Sequence, residues 1–133
     1  MRRIRIALGS NDGVTIADTH MGDTSRFHVY DLFEDARSEP VDTRDNAALD
    51  EGHGKVEKMK AIVAMLKDVD VVVARKLSPN FHRIADGTRH QPVVVDADGI
   101  DDAFERVHAA FETIFELTER RKNGERFDTI PEL

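Results

Sequence analysis

The spacing of apolar residues changes partway along this chain, and that change constrains the fold more than any other feature. In the first part, apolar and polar residues alternate over Arg3–Leu8, and Phe27–Phe33 has apolar residues on both faces, which predicts two β-strands. A weaker pattern near Glu39–Arg44 includes Pro40, which lacks a backbone donor and therefore predicts an edge strand or an irregular one. Three strands are expected before residue 52.

The second part of the chain alternates helical patterns with short apolar runs. Helical spacing covers 56–66 and about 100–121, while Ser78-Pro79 is a typical start of a short helix between them. The runs Asp70–Ala74 and Gln91–Val95 are continuously apolar, as in buried parallel strands. Parallel strands need crossover helices, so we predict an α/β fold with a mixed sheet and helices on both faces.

The length of the chain is sufficient for one domain. With 133 residues and no Cys, it can bury a core without disulfides. We assign residues 1–121 to a single domain. Residues 122–133 show no period and are expected to form a loosely held C-terminal extension, in which Phe127 and Ile130 could dock on a neighbour.

Composition argues against several classes of function. A net charge of −7 and an aromatic content of 6%, with no Trp, argue against nucleic acid as a partner. Apolar runs are too short to cross a membrane. Without Cys there is no thiol catalysis and no Cys-held zinc or iron–sulfur cluster. We therefore expect an acidic protein of the cytoplasm.

One block of the chain has the opposite charge. Residues 52–95 contain eight basic side chains against four acidic ones, so an anionic ligand would be attracted there. The alternative is that these lysines and arginines are ordinary residues of solvated helix surfaces.

Three loops are predicted to meet at one edge of the sheet, because ligands of open α/β sheets bind beyond the carboxyl ends of the parallel strands. These loops cover residues 9–22, 51–55 and 75–78. Five of the eight glycines lie in the first two loops, where they let a ligand approach the backbone closely: Gly9, Gly13, Gly22, Gly52 and Gly54.

The segment Gly52-His53-Gly54-Lys55 precedes a predicted helix. Free N–H groups at a helix start attract anions, Lys55 adds charge, and His53 could bind a metal. The alternative is a plain junction between a loop and a helix. In the first loop, His20 could form a carboxylate–histidine metal site with Asp12 and Asp18, or it could be ordinary polar surface.

Two methionines and the other histidines have different expected surroundings. Met21 in the first loop could contact a metal–sulfur ligand, whereas Met59 fits the apolar face of a helix. The remaining four histidines are expected to be structural or surface residues: His28, His82, His90 and His108.

Taken in order, several segments resemble one family over most of residues 3–120. It is the dinitrogenase iron–molybdenum cofactor biosynthesis family, of NifX/NafY type, which also supplies the C-terminal domain of NifB. The matching segments are Arg5-Ile6-Ala7 with the turn Asn11-Asp12-Gly13, Ala17–Asp23, Phe27–Asp31, Gly52–Lys55, Asp70–Ala74 and Ser78–Phe81.

The resemblance implies a ribonuclease-H-like, three-layer α/β/α fold with a five-stranded sheet in the order 3-2-1-4-5. It also implies a non-catalytic, nitrogen-fixation-related carrier of an anionic iron–(molybdenum)–sulfur cofactor or precursor, with a loop histidine as cluster ligand. The expected cofactor contacts are Asn11, Asp12, His20, Met21, Gly22, Gly52, His53, Gly54, Lys55, Arg75 and Lys76, with His20 and His53 as metal ligands. Expected partners are a cofactor donor or acceptor protein and a second copy of the chain.

The chain departs from the family pattern at Met21, at Arg75-Lys76 and in its long last helix, so the identity of the ligand stays open. One alternative is an interaction module or a small-anion-binding regulatory domain that holds no cluster. A metal-dependent hydrolase is disfavoured, because Arg3–Leu8 carries no carboxylate and no G-x-S-x-G motif occurs.

Overall fold

The computed structural model describes residues 1–19, 23–46 and 55–133, without the side chains of residues 55 and 56. In chain order, the elements are β1 (Arg3–Gly9), β2 (Arg26–Phe33), β3 (Ser38–Asp45), α1 (Lys55–Met65), β4 (Val71–Ala74), α2 (Pro79–Gly87), β5 (Gln91–Val94), α3 (Ile100–Ala109) and α4 (Phe111–Lys122). The described strands form a five-stranded sheet in the order β3-β2-β1-β4-β5, which confirms the predicted topology.

The centre of the sheet is β1, which pairs with one antiparallel and one parallel neighbour. Ile6 lies opposite Tyr30 of β2 on one side and opposite Val71 of β4 on the other. The outermost strand beyond β2 is β3, which is largely exposed, and its register shifts between Val29 and Tyr30, where Pro40 pairs. The prediction of an edge strand interrupted by proline is confirmed.

Helices cover both faces of the sheet, and the alternation within β1 decides which residues meet which layer. Ile4, Ile6 and Leu8 pack with buried residues of α3 and α4. Ala7 points the other way and packs with buried residues of α1 and α2. The two apolar clusters give the three-layer α/β/α arrangement, because successive strand side chains face opposite sides.

The prediction of one continuous helix over about 100–121 is wrong at a single residue, Ala110. The backbone leaves the helical conformation at Ala110 (φ −104°, ψ 18°), where α3 ends and α4 begins. Val107, Phe111 and Ile114 nevertheless stay in one buried cluster. The apolar spacing therefore continues through the bend, which is why the pattern predicted one helix.

The expectation of a loosely held extension after residue 121 is also wrong. The Val94 N–H donates to the Pro131 carbonyl, and the Leu133 N–H donates to the Val94 carbonyl, at 2.9 and 2.8 Å. Ile130 packs against the α1/α2 cluster and Leu133 against the α3/α4 cluster. The last residues thus pair along the outer edge of β5. The domain boundary at residue 121 stays a prediction.

Candidate functional site

The loops that follow β1, β4 and β5 meet at the carboxyl ends of these strands, and charged side chains connect them. The predicted loop at 51–55 lies largely outside the described residues. Arg75 follows β4, and its guanidinium lies 2.7 Å from the Asp98 carboxylate, which follows β5. The same guanidinium is 3.8 Å from Asp18 of the first loop, and the Lys76 ammonium is 3.6 Å from Asp18. Two cations and two carboxylates therefore occupy this edge of the sheet.

Backbone hydrogen bonds join the same loops. The Ile16 N–H donates to the Asp98 carbonyl at 2.8 Å, and the Ile100 N–H donates to the Val14 carbonyl at 2.9 Å. The Ala17 N–H returns to the Gly9 carbonyl at 2.9 Å. Because these bonds hold the loops after β1 and β5 together, the side chains of Asp18 and Asp98 project from backbone that is fixed next to them.

Asp12 shapes the turn in which it lies. Its carboxylate accepts hydrogen bonds from the N–H groups of Val14 and Thr15 and from the hydroxyls of Ser10 and Thr15. The Thr15 and Val14 amides contribute most to holding the pKa of Asp12 well below its usual range. The neighbouring Asn11 side chain accepts from the Ser25 hydroxyl at 2.6 Å. Both predicted cofactor contacts thus have partners inside the protein, and their binding role stays a prediction.

Gly9 ends β1 where the chain passes under Thr24. A Cβ atom at Gly9 would lie 2.7 Å from the Thr24 Cβ and Oγ1 atoms, closer than such atoms approach in proteins. Glycine therefore suits this position, and it lets Thr24, just before β2, pack directly against the end of β1.

Most of the predicted ligand residues lie outside the described residues: His20, Met21, Gly22, Gly52, His53 and Gly54, together with the Lys55 side chain. Described residues close to the ends of these two segments contact each other. Asp23 forms an ion pair of 2.6 Å with Lys58 of α1. The Asn46 side chain donates to the Thr24 carbonyl at 2.8 Å.

Three of the four described histidines bond to groups of the protein, and the fourth, His28, lies in β2. His82 contacts the Asp128 carboxylate, the buried His90 ring bonds the Val69 carbonyl, and His108 bonds the Glu34 carbonyl. Within residues 1–19, 23–46 and 55–133, no group of three or more His, Asp or Glu side chains could hold a metal ion.

Sequence reasoning found Arg75 and Lys76 but missed their carboxylate partners. Asp18 was a candidate carboxylate for a metal site with His20, and Asp98 was not among the candidate ligands. The available signal was position, since Asp98 follows β5 just as Arg75 follows the parallel strand β4, and the carboxyl ends of adjacent parallel strands lie side by side.

A comparison with protein families identifies the chain's relatives. The family model described as "Dinitrogenase iron-molybdenum cofactor" matches residues 2–110. The chain belongs to this family. The match includes the three loops described above and ends at Ala110, the residue at which the last helix bends. A search of curated proteins finds no match to the chain. Among the described residues, none of the helices is long and apolar enough to cross a membrane.

Proposed function

We propose that this protein binds and carries an anionic iron–(molybdenum)–sulfur cofactor, or a precursor of it, at the carboxyl edge of its sheet. The cofactor is cargo in this proposal and is released unchanged. A protein that donates or accepts the cofactor is the corresponding partner, in the cytoplasm, and a second copy of the chain is a further candidate partner.

The contact between the borders of the two histidine segments carries this proposal. His20 precedes Asp23 by three residues, and His53 precedes Lys58 by five, while Asp23 and Lys58 are 2.6 Å apart. The intervening chain is short in both cases, because extended chain spans at most about 3.6 Å per residue. Asn46, which precedes the segment that contains His53, donates to the carbonyl of Thr24, the residue after Asp23. This connection supports His20 and His53 as ligands of one cluster.

The charges at the same edge suit an anion. Arg75 and Lys76 belong to the basic block of an otherwise acidic chain, and both project from the loop after β4. Asp18, the partner of Lys76, lies only two residues before His20. Cations next to a ligand segment would attract an anionic cluster and hold it through charge, in addition to any metal–histidine bond.

Anaerobic gel filtration tests the proposal. The protein is mixed with isolated iron–molybdenum–sulfur cofactor, and the chromophore is followed through the column. We expect it to coelute with the native chain and to be lost with the double variant His20→Ala, His53→Ala. The matched control is His82→Ala, His108→Ala, which removes two histidines with structural partners and should keep the chromophore.

A second pair of variants tests the charges. Arg75→Gln with Lys76→Gln should weaken cofactor binding about tenfold or more. The matched control is Lys60→Gln with Lys67→Gln, one residue in α1 and one just after it. It removes the same amount of positive charge and should leave binding nearly unchanged. If the chromophore never coelutes with the native chain, the carrier function is wrong. If it coelutes equally with all variants, the site is wrong.

A further inference from the structure

Asp98 occupies the position at Arg75 that an anionic ligand would need. Its carboxylate lies 2.7 Å from the guanidinium, although the Asp98 side chain is 84% exposed and the Arg75 side chain only 28%. The carboxylate thus reaches from solvent onto a cation that is largely covered. Exposed ion pairs are weak, so a stronger anion could displace this carboxylate.

The backbone would not have to move for this exchange. The Asp98 carbonyl accepts the Ile16 N–H at 2.8 Å, and the Ile100 N–H is held by the Val14 carbonyl. Rotation of the Asp98 side chain alone would free Arg75, and the three loops would stay joined.

We propose that Asp98 is a specificity-determining residue that competes with the ligand for Arg75, so that the site selects anions carrying at least two negative charges. The inference rests on the proposed function and concerns the charge class of its ligand. Arg75 and Lys76 are balanced by Asp18 and Asp98, so a singly charged anion gains little by replacing one carboxylate. A compact dianion or a more highly charged cluster can interact with both cations at once.

Molybdate, a tetrahedral dianion, is a suitable probe, with binding measured by equilibrium dialysis at low ionic strength. We expect Asp98→Asn to bind molybdate about fivefold more tightly than the native chain, the equivalent of about 1 kcal/mol for an exposed pair. Asp96→Asn is the matched control. Asp96 is exposed two residues earlier and has no ion pair in the described part of the chain, so its replacement should change affinity less than twofold.

Competition with acetate tests the charge selection itself. A singly charged carboxylate should displace molybdate poorly from the native chain and more effectively from Asp98→Asn, where it can take the vacated position. An equal gain in molybdate affinity in Asp98→Asn and Asp96→Asn would show that only the net charge of the protein matters, and it would overturn the proposal. Absence of molybdate binding to Asp98→Asn would overturn it as well.

Failure of this inference and failure of the carrier function give different results. Coelution of the iron–molybdenum–sulfur cofactor without any effect of Asp98→Asn would refute only the role of Asp98. A selective gain for Asp98→Asn without coelution would refute the carrier function and leave an anion site.

Discussion

Arg121 of α4 is a buried cation whose replacement offers a strong test of how the C-terminal residues are held. The residue is 1% exposed, and its guanidinium donates to the Gln91 Oε1 atom at 2.8 Å, the Ala85 carbonyl at 2.7 Å and the Phe127 carbonyl at 2.9 Å. Ala85 lies near the carboxyl end of α2, where carbonyl groups attract positive charge. We predict that Arg121→Met loosens α2, β5 and the C-terminal residues together.

The magnitude follows from the acceptors left behind. The bonds to Gln91 and Ala85 are buried, and each unpaired buried acceptor costs about 1–3 kcal/mol. Burial of the guanidinium opposes this loss, since it lowers the pKa of Arg121 to about 10, with nearby Arg126 acting in the same direction. Removing the buried charge returns about 1–2 kcal/mol. With about 2 kcal/mol for each of the two acceptors, the expected net decrease in the free energy of unfolding is about 2–3 kcal/mol.

Urea unfolding followed by circular dichroism measures this decrease, and Arg120→Met is the matched control. Arg120 pairs with Glu125 at 3.2 Å on the surface, so its replacement should cost less than about 1 kcal/mol. Hydrogen exchange of the Leu133 amide, which bonds β5, should accelerate only in Arg121→Met. If Arg121→Met is as stable as Arg120→Met, the buried hydrogen bonds do not stabilise the fold and the reasoning fails.

Two further predictions concern the sheet. Gly9→Ala should lower the free energy of unfolding by about 1–3 kcal/mol, because its Cβ atom would meet the Thr24 side chain. Gly87→Ala is the control, since a Cβ atom there has open space and should change the free energy of unfolding by less than about 0.5 kcal/mol. Urea unfolding compares the two variants. Burial alone would raise the pKa of Asp31, but hydrogen bonds and charge from Arg5 lower it overall. The stabilisation from Asp31 is therefore complete above its unfolded pKa of about 3.9 and is lost as the pH falls through the lower folded pKa. Unfolding measured at pH 6 and pH 3 should show a smaller loss of stability in Asp31→Asn than in the native chain, and an equal loss would contradict this assignment.

The pattern of apolar residues was sufficient to predict a mixed sheet with helices on both faces, whereas the order of its strands was implied by the family resemblance. Alternation in β1 specifies two buried faces, and the apolar runs that became β4 and β5 specify parallel strands covered on both sides. The short helix start at Ser78 was also predictable, because its hydroxyl accepts the Phe81 N–H and proline follows it. These features depend on neighbours in sequence, which a single chain displays directly.

The sequence by itself also placed Arg75 and Lys76 at the carboxyl edge, since strand order decides which loops lie there. Only the tertiary structure decided that Asp98 and Asp18 pair with them, that the helix bends at Ala110, and that Leu133 returns to β5. Each of these depends on contacts between residues far apart in the chain or on a one-residue change in backbone angles. Distant contacts and single backbone angles leave no periodic pattern in the sequence, so the spacing of residues does not predict them.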